Sequence, residues 1–236
     1  MNLILLHEHD FIADDAVRLE GRRAVHVRKV LRARTGDRIR VGILGGLQGA
    51  GRITLLTRQC VELGVELCEA PPPALPCALV LALPRPPALR RILKSATALG
   101  VKRIALIDSA RVEGSFWQSS QISPEKIEEQ IHLGLEQARD TIPPEISLHR
   151  SFPRFAEREL PSWLGGARGW VGHPSALVPC PHAAAGSSVL IIGPEGGFVP
   201  HEIEALEAQG VEPISLGPRP LSIDTAVIAL LARLAP

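Results

Sequence analysis

Two short loops near the carboxyl end hold the residue types that could do chemistry: Gly193-Pro-Glu-Gly-Gly-Phe198 and Gly217-Pro-Arg-Pro-Leu-Ser222. Each follows an apolar run, 189–192 and 213–216, and each leads into a helical pattern. Main-chain N–H and C=O groups in such Gly-Pro loops can grip the edge of an adenine-like ring, and small residues let a ligand come close. Glu195 is a carboxylate in an otherwise neutral loop, suited to a hydroxyl, an amine or a cation; a solvated or helix-capping acid is the plainer alternative. The loops lack the Walker lysine and the dinucleotide glycine spacing, which disfavours nucleoside triphosphates and dinucleotides. In open α/β sheets, ligands bind where loops leave the carboxyl ends of strands. The pair is therefore the expected ligand site.

The surrounding pattern supplies the strands and helices to position these loops. Pro200, Glu202 and Glu204 suit a helix start, and Gly210 suits its end. Ser222 or Asp224 can cap a last helix at 225–234, apolar on nearly every side and so expected to be buried, against a second subunit among other surfaces. Upstream, 78–83 reads as a buried parallel strand. A helix over 86–99 has Leu89, Ile92, Leu93 and Ala96 on one face and Gly100 as its cap. Strands at 103–107 and 170–173, and a helix over 124–139 capped by Ser123, complete an α/β domain with a mainly parallel sheet. The run Glu69-Ala-Pro-Pro-Pro-Ala-Leu-Pro76 favours a stiff extended spacer. The expected organisation is a β-rich domain at 1–70, a linker at 71–77 and the α/β domain at 78–236.

The β-rich part shows strands at 3–6, 38–44, 52–56 and 61–67. The glycine cluster 45–51 lies between two of them and reads as a flexible hairpin turn, not a phosphate loop. Ahead of it, 22–40 carries Arg22, Arg23, Arg28, Lys29, Arg32, Arg34, Arg38 and Arg40 against the single acid Asp37. A short amphipathic helix with a basic face is predicted, ended by Thr35-Gly36-Asp37. It suits a phosphate-contacting patch or a solvated face.

Composition excludes other classes. A net charge of +1 rules out a wholesale polycation, and hydrophobic content of 45% with 22% charged residues is that of a globular chain. With no Tyr and 3% aromatics, a base-stacking platform is poorly supplied. The four cysteines, Cys60, Cys68, Cys77 and Cys180, have no metal-ligand spacing. No membrane span or signal peptide is expected, and a reduced cytoplasmic protein is the plain reading.

The sequence IGPEGGF, an acidic helix, then LGPR-x-L-x-x-x-TA resembles the carboxyl-terminal signature of the ribosomal RNA small subunit methyltransferase E (RsmE) family, in the SPOUT superfamily. HVRKVLRARTGDRIRV is similar to that family's amino-terminal segment, LPRPPALRRILKSATALGVKRI to the opening of its methyltransferase domain, and LEQARDTIPPEI and GHPS to two further pieces. The resemblance covers most of the chain. It implies a small PUA-like β-barrel followed by a parallel sheet with a deep trefoil knot, and a homodimer. It implies S-adenosyl-L-methionine held by His173, Pro174, Gly193, Glu195, Gly196, Gly197, Leu216, Gly217 and Leu221. The implied reaction is methylation at N3 of a uridine of 16S rRNA in the small ribosomal subunit, with no metal and no membrane. His26, Arg28, Lys29 and Arg32 would contact the RNA. Arg219 is the candidate cation for stabilising the uracil enolate; a phosphate or dimer contact is the other role open to it.

The chain departs from the family pattern at several places. Pro220, Ser222 and Asp224 stand where Ile, Arg and Glu are usual, Ala98 where Glu is, and Asp140 follows Gln137 where an arginine is expected. An RNA-binding paralogue with weak catalysis, or the same chemistry on another RNA, are the alternatives these departures leave.

Overall fold

The computed structural model describes residues 2–236; Met1, the first residue of the expected amino-terminal domain, lies outside them. The chain forms two compact units. The first holds the residues up to Pro73 together with His132–Pro143, and the second holds Ala74–Ile131 and Pro144–Pro236.

The first unit is built on β1 (Ile4–Leu6), β2 (Phe11–Ala13), β3 (Ala16–Leu19), α1 (Gly21–Lys29), β4 (Arg38–Ile43), β5 (Gln48–Leu56) and β6 (Val61–Glu69). The sheet order is β1-β4-β5-β6-β3-β2, antiparallel except for the parallel β1–β4 pair. Alternate residues Val41, Ile53, Val61 and Leu63 turn inward with Leu6, Val17, Leu19 and Val27 to form its core. The glycine cluster is not all turn. Gly45 and Gly46 make the turn, but Gly49 and Gly51 lie in β5. A Cβ on Gly49 would sit 2.0 Å from the Glu66 carbonyl oxygen, so glycine lets two strands approach there. Helix α1 ends at Lys29, earlier than the Thr35-Gly36-Asp37 stop, and Arg32 already has φ of 52°. Strands β2 and β3 were not expected; their short, acid-linked pattern gives little alternation to read.

The second unit contains β7 (Cys77–Ala82), α2 (Pro86–Ala98), β8 (Arg103–Ile107), most of α3 (Pro124–Ala138), β9 (Glu145–His149), α4 (Phe152–Arg154), α5 (Leu160–Leu164), β10 (Arg168–Gly172), β11 (Ser188–Ile192), α6 (Pro200–Ala208), β12 (Val211–Ile214) and α7 (Ile223–Leu234). From His132 onward α3 groups with the first unit. The six strands are all parallel, in the order β12-β10-β11-β7-β8-β9. Helix α2 buries Leu89, Ile92, Leu93 and Ala96, and Gly100 closes it at φ of 89°. Strand β12 starts and stops two residues before the predicted 213–216 run, because Val211 and Ile214 are the residues that reach the core. Helix α7 is not buried on every side. Val227, Leu230, Leu231 and Leu234 face inward, while Thr225, Ile228 and Ala232 are exposed.

Candidate functional site

Strands β10, β11 and β12 lie side by side, so the loops after them emerge together at the carboxyl edge of the sheet. They enclose one concavity. His173 and Pro174 line it after β10, Gly193, Glu195 and Gly197 after β11, and Leu216, Gly217, Arg219 and Leu221 after β12. Its floor is apolar: Ile192, Ile214, Ile223 and Leu230 are all buried. Pro194 shares this concavity, while Pro218 lines the neighbouring one on the far side of the Gly217 loop.

Local geometry explains the glycines. Gly197 closes a turn by donating its N–H to the Pro194 carbonyl at 2.8 Å, with φ of 71°. Gly217 has φ of 111°, and its N–H donates to Ser215 Oγ at 3.0 Å. Side chains rarely adopt that backbone, so glycine is what lets both loops turn over the floor. A Cβ on Gly193 would fall 3.0 Å from the Phe198 nitrogen, so the loop folds closely on itself. His173 is held by its N–H donating to the Ile214 carbonyl at 2.9 Å, and its Nδ1 accepts from the Ser175 N–H at 3.2 Å.

Gly196 does not line the concavity; its carbonyl accepts a hydrogen bond from Nη1 of Arg111. Glu195 is not a lone carboxylate. Its Oε1 accepts from the Arg85 N–H at 3.1 Å and from Arg85 Nε at 3.3 Å. Arg219 makes no hydrogen bond or ion pair among the described residues. Behind the first loop, buried Glu202 accepts from the Ala110 N–H at 2.8 Å and the Val199 N–H at 3.0 Å. It thereby ties the loop after β8 to the start of α6. Asp224, which replaces the family's glutamate, pairs with Arg91 of α2 at 2.7 Å. Hydrogen bonds from Ser222 and Arg91 hold its carboxyl down at about 2. The carboxylate at this position thus has a partner on another helix.

Sequence reading missed Arg85, Arg111 and Glu202. A signal existed for the arginines: both follow the carboxyl ends of parallel strands, β7 and β8, where the same strand-end rule points. Glu202 was read only as a helix-start acid, because its second partner is 92 residues away.

The basic segment divides. Arg22 bonds buried Glu136, Arg23 bonds Asp10 at 2.5 Å, and Arg40 bonds Glu69. Arg28 donates to the carbonyls of Thr57 and Arg58. His26 is half-buried with Nε2 unpartnered, and burial pushes its pKa down, which favours a neutral ring. Lys29 and Arg32 are exposed. Among the described residues there is no helix long and apolar enough to cross a membrane, and no His, Cys, Asp and Glu group able to hold a metal.

Comparison with known proteins agrees with this architecture. The model of the RNA methyltransferase domain family matches residues 71–235. The ribosomal RNA small subunit methyltransferase E of Treponema pallidum is 30% identical over 98% of this chain and 90% of its own. Among solved structures, the ribosomal RNA small subunit methyltransferase E of Neisseria gonorrhoeae, bound to S-adenosyl methionine, superposes with a TM-score of 0.76 at 19% identity, covering 98% of this chain and 95% of that one. A putative methyltransferase of Legionella pneumophila, in complex with the same cofactor, gives 0.77 at 22% identity, covering 99% and 96%. These two likenesses establish the fold; the family match and the Treponema relative, each spanning well over half of the sequence, place the chain in the ribosomal RNA small subunit methyltransferase E family.

Proposed function

We propose that this protein transfers the methyl group of S-adenosyl-L-methionine to N3 of a uridine in 16S rRNA of the small ribosomal subunit. The observation that carries the reading is the single concavity made by the loops after β10, β11 and β12. Its apolar floor and main-chain rim fit an adenosyl group, which has a flat apolar face and a hydrogen-bonding edge. His173, Pro174, Gly193, Gly197, Leu216, Gly217 and Leu221 would hold it, with Glu195 toward a hydroxyl or the cationic end. The sulfonium supplies an activated methyl carbon. What remains for the protein is alignment, exclusion of water and control of the uracil proton. In the reaction the N3–CH3 bond forms, the S–CH3 bond breaks and the N3 proton leaves. Arg219, with no partner of its own among the described residues, would stabilise the negative charge that develops on the uracil carbonyl oxygens.

The remaining family features belong to the same proposal. The six-stranded sheet of the first unit would be the PUA-like barrel, joined by the linker at 71–77 to the methyltransferase domain at 78–236. His26, Arg28, Lys29 and Arg32 would be its RNA contacts, with Lys29 and Arg32 the most available. The knot is supported by the loop at 173–187, which is fastened to chain that comes after it: Cys180 N–H donates to the Ser215 carbonyl, and Ala183 and Ala184 donate to Arg233 and Leu234. The exposed Thr225, Ile228 and Ala232 face of α7 supports a homodimer. We place the protein in the cytoplasm with the ribosome.

Deleting the gene and measuring 3-methyluridine in 16S rRNA by mass spectrometry tests the activity. Persistence of the modification at its normal level, with no second enzyme, overturns it. RNA binding that is kept, with no methyl transfer by the purified protein, would favour the RNA-binding paralogue. Glu195→Ala should weaken cofactor binding about tenfold in calorimetry, the scale of one charge-assisted hydrogen bond; unchanged affinity removes Glu195 from the cofactor site.

A further inference from the structure

Two exposed arginines outside the predicted site hold adjacent residues of the first ligand loop, Glu195 and Gly196. Arg85 follows β7 and bonds Glu195 through both its main chain and Nε. Arg111 follows β8, bonds the Gly196 carbonyl, and lays its aliphatic stem 3.0 Å from where a Gly196 Cβ would be. The Glu202 anchor at Ala110 fixes the chain beside Arg111.

Neither guanidinium is used up by these contacts. A guanidinium has five N–H donors. Arg85 spends one on Glu195, and its side chain is 68% exposed; Arg111 spends one on Gly196 and is also exposed. The donors left over lie at the carboxyl edge of the sheet, beside the loop that lines the concavity. A planar donor fork at such a place matches phosphate oxygens. Purely structural clamps would need neither the exposure nor the charge.

We propose that Arg85 and Arg111 are phosphate contacts for the RNA substrate on the catalytic unit, and that each also holds the cofactor loop, so that RNA and cofactor binding reinforce one another. This rests on the methyltransferase reading above. The coupling is reciprocal by thermodynamic linkage: RNA that fixes the arginines steadies the loop, and a cofactor that orders the loop presents the arginines.

The test uses the full chain, small ribosomal subunits from cells lacking the gene, and S-adenosyl-L-methionine. Binding of the subunits is measured between roughly 50 and 200 mM salt. Arg85→Ala and Arg111→Ala should each lower the slope of log affinity against log salt by roughly 0.7–0.9, one phosphate contact. In the wild type, the subunits should tighten cofactor binding about fivefold or more, and that gain should vanish in both variants. Arg111→Lys keeps a point charge without the fork, so it should retain the salt slope and lose most of the coupling. Tryptophan fluorescence melts confirm folding. Wild-type binding of both ligands, with alanine variants that keep the wild-type slope, overturns the inference and leaves the methyltransferase reading standing. A wild type that binds neither ligand overturns both.

Discussion

Glu202→Ala should destabilise the second unit strongly although the side chain lines no part of the concavity. The side chain is 2% exposed, and its two oxygens accept from the Ala110 and Val199 N–H groups at 2.8 and 3.0 Å. Alanine removes both acceptors and leaves two main-chain donors without partners. Hydrogen bonds to a charged acceptor are worth about 1.5–3 kcal/mol each. The expected loss is thus roughly 3–5 kcal/mol, allowing for water reaching one of the freed groups. Glutamine keeps one acceptor but turns an amide donor toward the other N–H, so Glu202→Gln should fall between alanine and wild type. All three tryptophans, Trp117, Trp163 and Trp170, lie in the second unit. Intrinsic fluorescence in a guanidinium titration therefore reports that unit, and the midpoint with an unchanged slope gives the difference. A loss below about 1 kcal/mol, under the net worth of one such bond, would refute the bridging role. So would a glutamine variant less stable than the alanine one.

Gly49→Ala should destabilise the first unit selectively, because the new Cβ would sit 2.0 Å from the Glu66 main-chain oxygen. Overpacking of this kind costs about 1–3 kcal/mol or more, so the β signal in circular dichroism should be lost before tryptophan fluorescence changes. Asp224→Asn tests the α2–α7 link. A carboxyl held down at about 2 against an ordinary 3.8 adds stability above the ordinary value, which is lost as pH falls through about 2. The variant should melt below the wild type at neutral pH, and the gap should close between about pH 4 and 2; a gap independent of pH contradicts the pairing. Arg219→Ala should lower kcat by about 10²–10³-fold, the scale of a lost charge-stabilising donor, with the calorimetric cofactor affinity little changed. An unaltered kcat would assign Arg219 to another role.

Local sequence determined the parts that depend on neighbours along the chain. Continuous apolar runs marked β7 and β8, the spacing of Leu89, Ile92, Leu93 and Ala96 marked α2, and the Gly-Pro runs marked two of the loops that border the concavity. Each is a property of a few consecutive residues and needs no partner to be read. Strand boundaries and side-chain commitments were of another kind. Residues Gln48–Gly51 look like a turn until β6 is beside them, and β12 takes its bounds from which residues reach the core. Eight basic residues in a row of nineteen looked like one face, yet Arg22, Arg23 and Arg28 are engaged by Glu136, Asp10 and two main-chain carbonyls. Glu195, Glu202 and Asp224 find partners 92 to 133 residues away. A charge shows in the sequence, but whether it is free or neutralised depends on which distant groups the sheet order brings within hydrogen-bond reach, and only the folded chain decides that.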